Sequence, residues 1–208
     1  MVLIFPPSEL AFSSEDLENR RLHYYEKGDT IPLCDKGGWQ VYLGVVQLGQ
    51  WLENGDEILL GWVQAPGFVG LDLTLLQLET YQAKALSATY LRWYPQEDLK
   101  TAPASVAQFI LLQTLKQLRQ RETLLGILGF KRVDERLQAL LKLLAQEMGQ
   151  PVAEGIRLSV RLTHQMMANA IGTTRVTVTR LLGELHSQGQ ISFDGDRHLI
   201  IHPRCAVV

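Results

Sequence analysis

Arg175 and Arg180 bracket a stretch, Arg175-Val-Thr-Val-Thr-Arg180, in which cations, hydroxyls and small apolar side chains alternate with no carboxylate between them. A guanidinium can donate two parallel hydrogen bonds to guanine O6 and N7, a valine can touch a thymine methyl, and threonine hydroxyls can bind phosphate oxygens. On a helix, positions 175 with 179 and 176 with 180 are i, i+4 neighbours, so Arg175, Val176, Thr179 and Arg180 share one face. Val178, Leu181, Leu182 and Leu185 then form the buried stripe on the other. The β-branched residues at 176 to 179 are poor helix formers, so something other than helix stability favours them. The chemistry on offer is recognition of base edges and phosphates in a duplex.

Such a helix needs elements that hold it. Upstream, Thr163 is a suitable N-cap for a short helix that begins with His164 and Gln165 and has Met167, Ala170 and Ile171 on its apolar side. Gly172 can supply the left-handed residue that ends it. Thr173 or Thr174 can cap the second helix, and these threonines, with Thr177 and the two helix N-termini, can bind phosphates. Downstream, Ile191-Ser-Phe193 and Leu199-Ile-Ile201 flank Asp194-Gly195-Asp196, the pattern of a hairpin with glycine in its turn. Helix, turn, helix and hairpin make a winged helix. The candidate DNA contacts are therefore Thr163, His164, Gln165, Thr173, Thr174, Arg175, Val176, Thr177, Thr179 and Arg180. A winged helix serving as a protein-interaction module, without direct DNA contact, is the alternative.

The preceding text is of two kinds. Up to about Trp93 short β-type runs (Arg21–Tyr25, Trp39–Leu43, Val45-Val46, Ile58–Leu60) are broken by the turn signals Gly28-Asp29, Gly37-Gly38 and Asn54-Gly55, a spacing that suggests a sandwich or barrel. After Ser105 the apolar period becomes helical for more than about 20 residues. Leu111, Leu115, Leu118, Glu122 and Leu125 alternate spacings of four and three, the seam of a coiled coil through which two chains could pair. Gly126 and Gly129 weaken the end of this helix in the manner of a hinge. A second amphipathic helix runs from about Val133 through Leu137, Leu140, Leu141 and Leu144 to Met148, closed by Gly149 and Pro151.

With 46 % hydrophobic and 20 % charged residues, the chain can build a real core. No apolar run is long enough to span a bilayer, and the opening Met1-Val-Leu-Ile-Phe-Pro-Pro7 stops short of a secretory segment, which predicts a cytoplasmic protein without membrane contact. Cys34 and Cys205 form neither a disulfide framework nor a metal motif. The net charge of −2 hides an asymmetry: from Glu154 onward six arginines (157, 161, 175, 180, 197, 204) face four acids (154, 184, 194, 196), so that segment carries +2 and the rest −4. Only His23 lies in the N-terminal half, too few ligands for a catalytic metal, and no nucleophile elbow occurs. His186, His198 and His202 read as surface or strand residues. An enzyme and a metal site are both excluded on this reading.

The run Ile171-Gly-Thr-Thr-Arg-Val-Thr-Val-Thr-Arg-Leu-Leu-Gly183, preceded by Leu162-Thr-His-Gln165, resembles the DNA-binding signature of the Crp/Fnr superfamily of transcriptional regulators, nearest to the branch of the cyanobacterial global nitrogen regulator. The likeness is specific over about Val133 to Pro203. Over the N-terminal half it is looser, resting on the turns, Gly67-Phe-Val-Gly70 and the domain order. It implies an α+β chain: a β-roll (jelly-roll) sensor over 1–103, a dimerisation helix over 104–131 and a winged helix-turn-helix over 132–208. It also implies a homodimer on double-stranded DNA, a palindrome like GTA, eight spacer pairs, TAC, and RNA polymerase as a further partner. Where cyclic-nucleotide binders carry glycine-glutamate and arginine-serine, this chain has Gly70-Leu71 and Tyr81-Gln82, which argues against cyclic AMP. The effector arginines of the nitrogen regulator fall on Leu78-Glu79-Thr80-Tyr81, whose carboxylate would repel a dicarboxylate. The cysteines of iron-sulfur members and the ligands of haem members are missing. No cofactor is expected, and the effector is left open.

Overall fold

The computed structural model describes residues 20–53, 55, 57–71 and 80–203. Asn54, Leu78, Glu79, Arg204, Cys205 and the opening Met1-to-Pro7 run lie outside them. The N-terminal half is built from β1 (Leu22–Tyr25), β2 (Thr30–Ile31), β3 (Gly37–Leu43), β4 (Val45–Trp51), β5 (Glu57–Gln64), β6 (Phe68–Val69), β7 (Tyr81–Ala85) and β8 (Thr89–Pro95). They form two antiparallel four-stranded sheets, ordered β1-β8-β3-β6 and β2-β7-β4-β5. Ile31, Trp39, Val41, Val46, Leu48, Val63, Val69 and Leu91 fill the space between them. Trp39 anchors one end: its indole N–H donates to the Pro32 carbonyl at 2.7 Å, and His23, Tyr25 and Trp93 meet its rings edge-on. This is the β-roll expected from the alternation of short strands and turns.

One expectation about glycine is overturned. Gly37-Gly38 is not a turn; both residues lie inside β3 and are buried. A Cβ on Gly37 would fall 2.2 Å from the Tyr94 carbonyl oxygen, and one on Gly38 would fall 2.5 Å from Leu71 Cδ2. These glycines admit a close neighbour rather than a reversal of the chain.

A short helix, α1 (Gln96–Lys100), follows the roll, then α2 (Ala104–Leu128) and α3 (Val133–Met148). α2 starts behind Pro103, its N-cap residue, whose own backbone is still extended at ψ 151°. It continues through Gly126 and ends at Gly129, so the break between helices falls at residues 129–132. Its two faces differ. Val106, Phe109, Gln120, Leu124 and Ile127 are buried against the chain's own β-roll and α3, whereas Leu111, Leu115, Leu118, Glu122 and Leu125 are exposed.

The C-terminal part contains β9 (Gly149–Val152), β10 (Gly155–Leu158), α4 (His164–Ile171), α5 (Arg175–Ser187), β11 (Ile191–Phe193) and β12 (Leu199–Ile201). The expected hairpin is one half of a four-stranded sheet, β11-β12-β10-β9. The β9–β10 hairpin was not foreseen, because Gly149 and Pro151 read only as helix stops. Pro151 sits on the edge strand, where its missing N–H costs no ladder bond.

The two halves share one core. Val45, Leu59, Trp62 and Leu86 of the roll cluster with Leu124 and Ile127 of α2 and with the leucines of α3. A buried polar group, the amide of Gln120, only 5 % exposed, lies across this core. Its Oε1 accepts from the Trp62 backbone N–H at 2.7 Å, and its Nε2 donates to Glu147 Oε2 of α3 at 2.8 Å. Gly61 makes room for it: its φ of +141° suits glycine, and a Cβ there would stand 2.5 Å from the Gln120 oxygen. Gln64 and Gln117 add bonds to the Glu147 and Phe68 carbonyls.

Replacing Gln120 with leucine leaves the buried Trp62 N–H without an acceptor, a loss of about 1–3 kcal/mol. Urea unfolding of Gln120→Leu should show a lower midpoint by that amount, and Gly61→Ala should do the same by strain and displacement of the amide. Unchanged midpoints in both variants would remove Gln120 from its bridging role.

Candidate nucleic-acid interface

The reading head is assembled by local hydrogen bonds that the sequence itself specifies. Thr163 caps α4: its Oγ1 accepts from the Met166 N–H at 3.1 Å. Gly172 ends α4 at φ 62°, ψ 52°, the left-handed conformation expected of it, and the Thr173 N–H donates to the Ala168 carbonyl. Of the two possible caps for α5 the structure selects Thr174, whose Oγ1 accepts from the Thr177 N–H at 3.2 Å. Val178, Leu181, Leu182 and Leu185 are buried, together with Met167, Ala170 and Ile171 of α4. Arg136, a residue that carried no expectation, fixes the pair from behind: its Nε donates to the Phe130 carbonyl and its Nη1 to the Ile171 carbonyl.

The solvent face of α5 is the one expected. Arg175, Val176, Thr179 and Arg180 are exposed along it, and Thr173 and Thr177 are partly covered. Their hydroxyls are not equivalent. The Thr179 hydroxyl donates its proton to the Arg175 carbonyl at 2.9 Å, so it can only accept from His164 Nδ1, 2.7 Å away. That makes Nδ1 the protonated nitrogen of His164 and ties α4 to α5. The Thr174 and Thr177 hydroxyls bond each other at 2.9 Å. Gln165 Nε2 donates to Asn169 Oδ1 along α4. Arg180 pairs with Glu184 one turn on, an exposed pair that is cheap to release.

Capping accounts for Thr177, burial for Val178 and the two hydroxyl bonds for Thr179. Val176 has no such explanation: it is 78 % exposed, above even Leu125 at 69 %.

A cleft of about 980 Å³ opens beside the head, lined by Lys27, Arg161, Thr163, His164, Arg175 and Arg197 among others. It brings Thr163, His164, Gln165 and Arg175 together with three cations that sequence reasoning left unassigned. Arg161 and Arg197 were visible only as part of a charge excess. Arg197 had a further signal in the turn Asp194-Gly-Asp196, since it adopts φ 61°, a conformation rare for a residue with a side chain. Lys27 lies 134 positions from Arg161 in the chain and no local pattern marks it.

Asp194 shapes the wing. Its Oδ1 accepts from the Asp196 and His198 N–H groups and its Oδ2 from Arg157 Nε at 2.6 Å. The Arg157 bond holds its carboxyl below the usual range against the opposing effect of burial, with the His198 N–H assisting. His198 and His202 are strand-side residues bonded to the Leu158 and Glu154 carbonyls. Among the described residues no group of three or more His, Cys, Asp or Glu could hold a metal, and no helix is long and apolar enough to cross a membrane.

A β-roll joined by one long helix to a winged helix-turn-helix with an exposed arginine-valine face defines a class, the two-part DNA-binding regulators. The comparisons with known proteins give the family. Residues 135–206 match the model of a Crp-like helix-turn-helix domain. The chain is 31 % identical over 193 residues to the global nitrogen regulator of Synechococcus elongatus, covering 88 % of this chain and 86 % of that one. It is 34 % identical over 166 residues to the regulatory protein CysR of the same organism, covering 78 % and 75 %. The structure of FixK2 from Bradyrhizobium japonicum shares the fold, with a TM-score of 0.74 at 24 % identity over 89 % of this chain and 93 % of that one. The chain belongs to the Crp/Fnr family of transcriptional regulators.

Because the Asp194 carboxyl is depressed, its stabilising contribution is complete above the unfolded value of about 3.9 and is lost as pH falls through the folded value. Wing amides such as that of His198 should therefore lose hydrogen-exchange protection below about pH 3.9. Asp134, also depressed chiefly by its bond to Arg132, acts on α3 and not on the wing. Asp194→Asn should flatten the acid limb at His198 alone; an unchanged limb would exclude Asp194 as its source.

Proposed function

We propose that the chain is a sequence-specific regulator acting as a homodimer on a palindrome, with α5 laid in the major groove and Val176 reading a base. The observation that carries this reading is the 78 % exposure of Val176 between two arginines on a helix whose other β-branched residues all have structural employment. An exposed valine gains nothing in water, whereas its methyls can pack on a thymine C5-methyl while Arg175 or Arg180 donates to guanine. Thr163, His164, Gln165, Thr173, Thr174, Thr177 and Thr179 surround this face as positioning or phosphate contacts.

Dimerisation through α2 is supported by its second face. Leu111, Leu115, Leu118 and Leu125 are about half exposed or more, on a helix already packed on its opposite side. Each such leucine that becomes buried contributes on the order of 1 kcal/mol. Parallel pairing would set the two copies of α5 roughly 34 Å apart, one turn of duplex. The similarity to the global nitrogen regulator supports a site like GTA, eight spacer pairs, TAC, RNA polymerase as a further partner and a cytoplasmic setting. Cyclic AMP is not the effector on this reading: Tyr81 and Gln82 occupy the β7 positions where an arginine-serine pair would be needed, and they offer no cation to a phosphate.

Sedimentation at micromolar concentration should give a dimer for the natural chain and a monomer for Leu115→Glu/Leu118→Glu, with loss of palindrome binding in the variant. A monomeric natural chain would overturn the seam.

Val176→Glu should move preference toward G·C at one pair by roughly 1–3 kcal/mol per half-site, measured on two duplexes differing only there. Equal weakening on both duplexes would show that Val176 does not read a base.

A further inference from the structure

The seven lysines of the chain are not chemically alike. Lys100 stands exposed beside a carboxylate, its Nζ 3.1 Å from Glu97 Oε1. Lys27 stands on the turn between β1 and β2, where Gly28 at φ 98° reverses the chain, and its Nζ donates to the Arg161 carbonyl at 3.4 Å. The cleft gathers around it Arg161 from before α4, Arg175 from the start of α5 and Arg197 from the turn of the wing hairpin. No carboxylate is among the described lining residues. Asp29, on the same turn, is folded back, its Oδ2 accepting from the Glu26 N–H. Burial first, and the charge of Arg161 second, hold the Lys27 ammonium below its usual range. More of it is therefore the free amine at neutral pH than in an ordinary exposed lysine. A free amine among fixed cations is suited to attack an acyl group carried on an anionic leaving group.

We infer that Lys27 is a site of acylation by acyl phosphates, with the arginines of the cleft holding the phosphate while the amine attacks. The Nζ lone pair forms a bond to the acyl carbon, the bond from that carbon to the phosphate oxygen breaks, and phosphate leaves with the electron pair. The proton released from nitrogen passes to the phosphate or to water, so the products are an acylated lysine and inorganic phosphate. The cations act twice: they raise the local concentration of the anionic reagent, and they stabilise the charge that grows on the leaving oxygen. A space of about 980 Å³ admits a reagent of this size from solvent without rearrangement. Acylation removes the charge of Lys27 and leaves one N–H where the ammonium had three. It thereby changes the contact by which the β-roll reaches the segment before α4, and gives acyl phosphates a direct influence on how the two halves meet.

The test treats the full chain with acetyl phosphate and, separately, with the N-hydroxysuccinimide ester of acetic acid, which carries no phosphate. Mass spectrometry of peptides follows the rate at each lysine, with Lys100 as the internal standard. With acetyl phosphate Lys27 should react about tenfold faster than Lys100, the scale on which a focused positive field enriches an anion. With the ester the advantage should shrink to what the free amine alone supplies. Arg175→Gln/Arg197→Gln should lose most of the acetyl phosphate advantage and keep its rate with the ester. Millimolar inorganic phosphate should slow only the acetyl phosphate reaction at Lys27. A Lys27 no faster than Lys100 would overturn the inference. So would an equal advantage with both reagents, which marks an accessible amine without a phosphate site, or an advantage that survives loss of the two arginines. Should that double variant fail to fold, competition on the natural chain decides, and an acetyl phosphate rate untouched by inorganic phosphate overturns it too.

Discussion

The buried amide of Gln120 bonds the β-roll and α3 at once from α2, and the arrangement of the chain turns on it, with Gln64 and Gln117 adding direct bonds beside it. A helix packed between two domains can be held by apolar contacts at many nearly equivalent rotations, since burial of area has no preferred direction. A hydrogen bond has one. By accepting from the Trp62 backbone and donating to Glu147, Gln120 fixes the rotation of α2 against the β-roll and of α3 against α2 at once. That rotation decides which side of α2 is left outside, and therefore that the leucines at 111, 115, 118 and 125 form an exposed row. It also sets where α3, and with it the reading head, stands relative to the roll. The cost of a half-satisfied buried amide, about 1–3 kcal/mol, penalises alternatives that apolar packing alone would tolerate.

How much of this was legible in the sequence follows from how local each instruction is. The helix-turn-helix was readable because every part of its code lies within a few residues: a cap at Thr163, a left-handed glycine at Gly172, a cap at Thr174 and a four-residue apolar stripe. The β-roll was readable as alternation and turns, but Gly37 and Gly38 were misassigned, since a glycine that admits a neighbouring strand looks the same as one that reverses the chain. The β9–β10 hairpin was hidden behind residues that also end a helix. Gln120 was invisible because a glutamine on an amphipathic helix is ordinarily a solvent residue, and only Trp62, 58 positions away, makes it otherwise. Lys27 was invisible for the same reason.

The electrostatics show a second division of labour. A net charge of −2 keeps non-specific attraction to DNA low, while Lys27, Arg161, Arg175 and Arg197 are gathered about one cleft and Arg180 stands on the exposed face of α5. Low global charge with local concentration favours discrimination: the duplex must be close and correctly oriented before the guanidinium groups reach it. The intramolecular bonds of Thr174, Thr177 and Thr179 serve the same end, since a recognition helix whose hydroxyls are already engaged has fewer rotamers to lose when it docks.

The two observations join at residues 129–132, the only covalent connection between α2 and α3. Any rotation there that separates the head from the roll must strip Gln120 of Glu147, open the shared core around Trp62 and Ile127, and draw Arg161 away from Lys27. The cleft lined by Lys27, Arg161, Arg175 and Arg197 then ceases to exist as a single space. A ligand that binds one arrangement of the two halves better than another shifts the populations toward it, and by reciprocity that arrangement binds the ligand more tightly. A change in the roll needs no separate wire to reach the reading head. It acts by altering how often the core that the roll shares with α2 and α3 is closed.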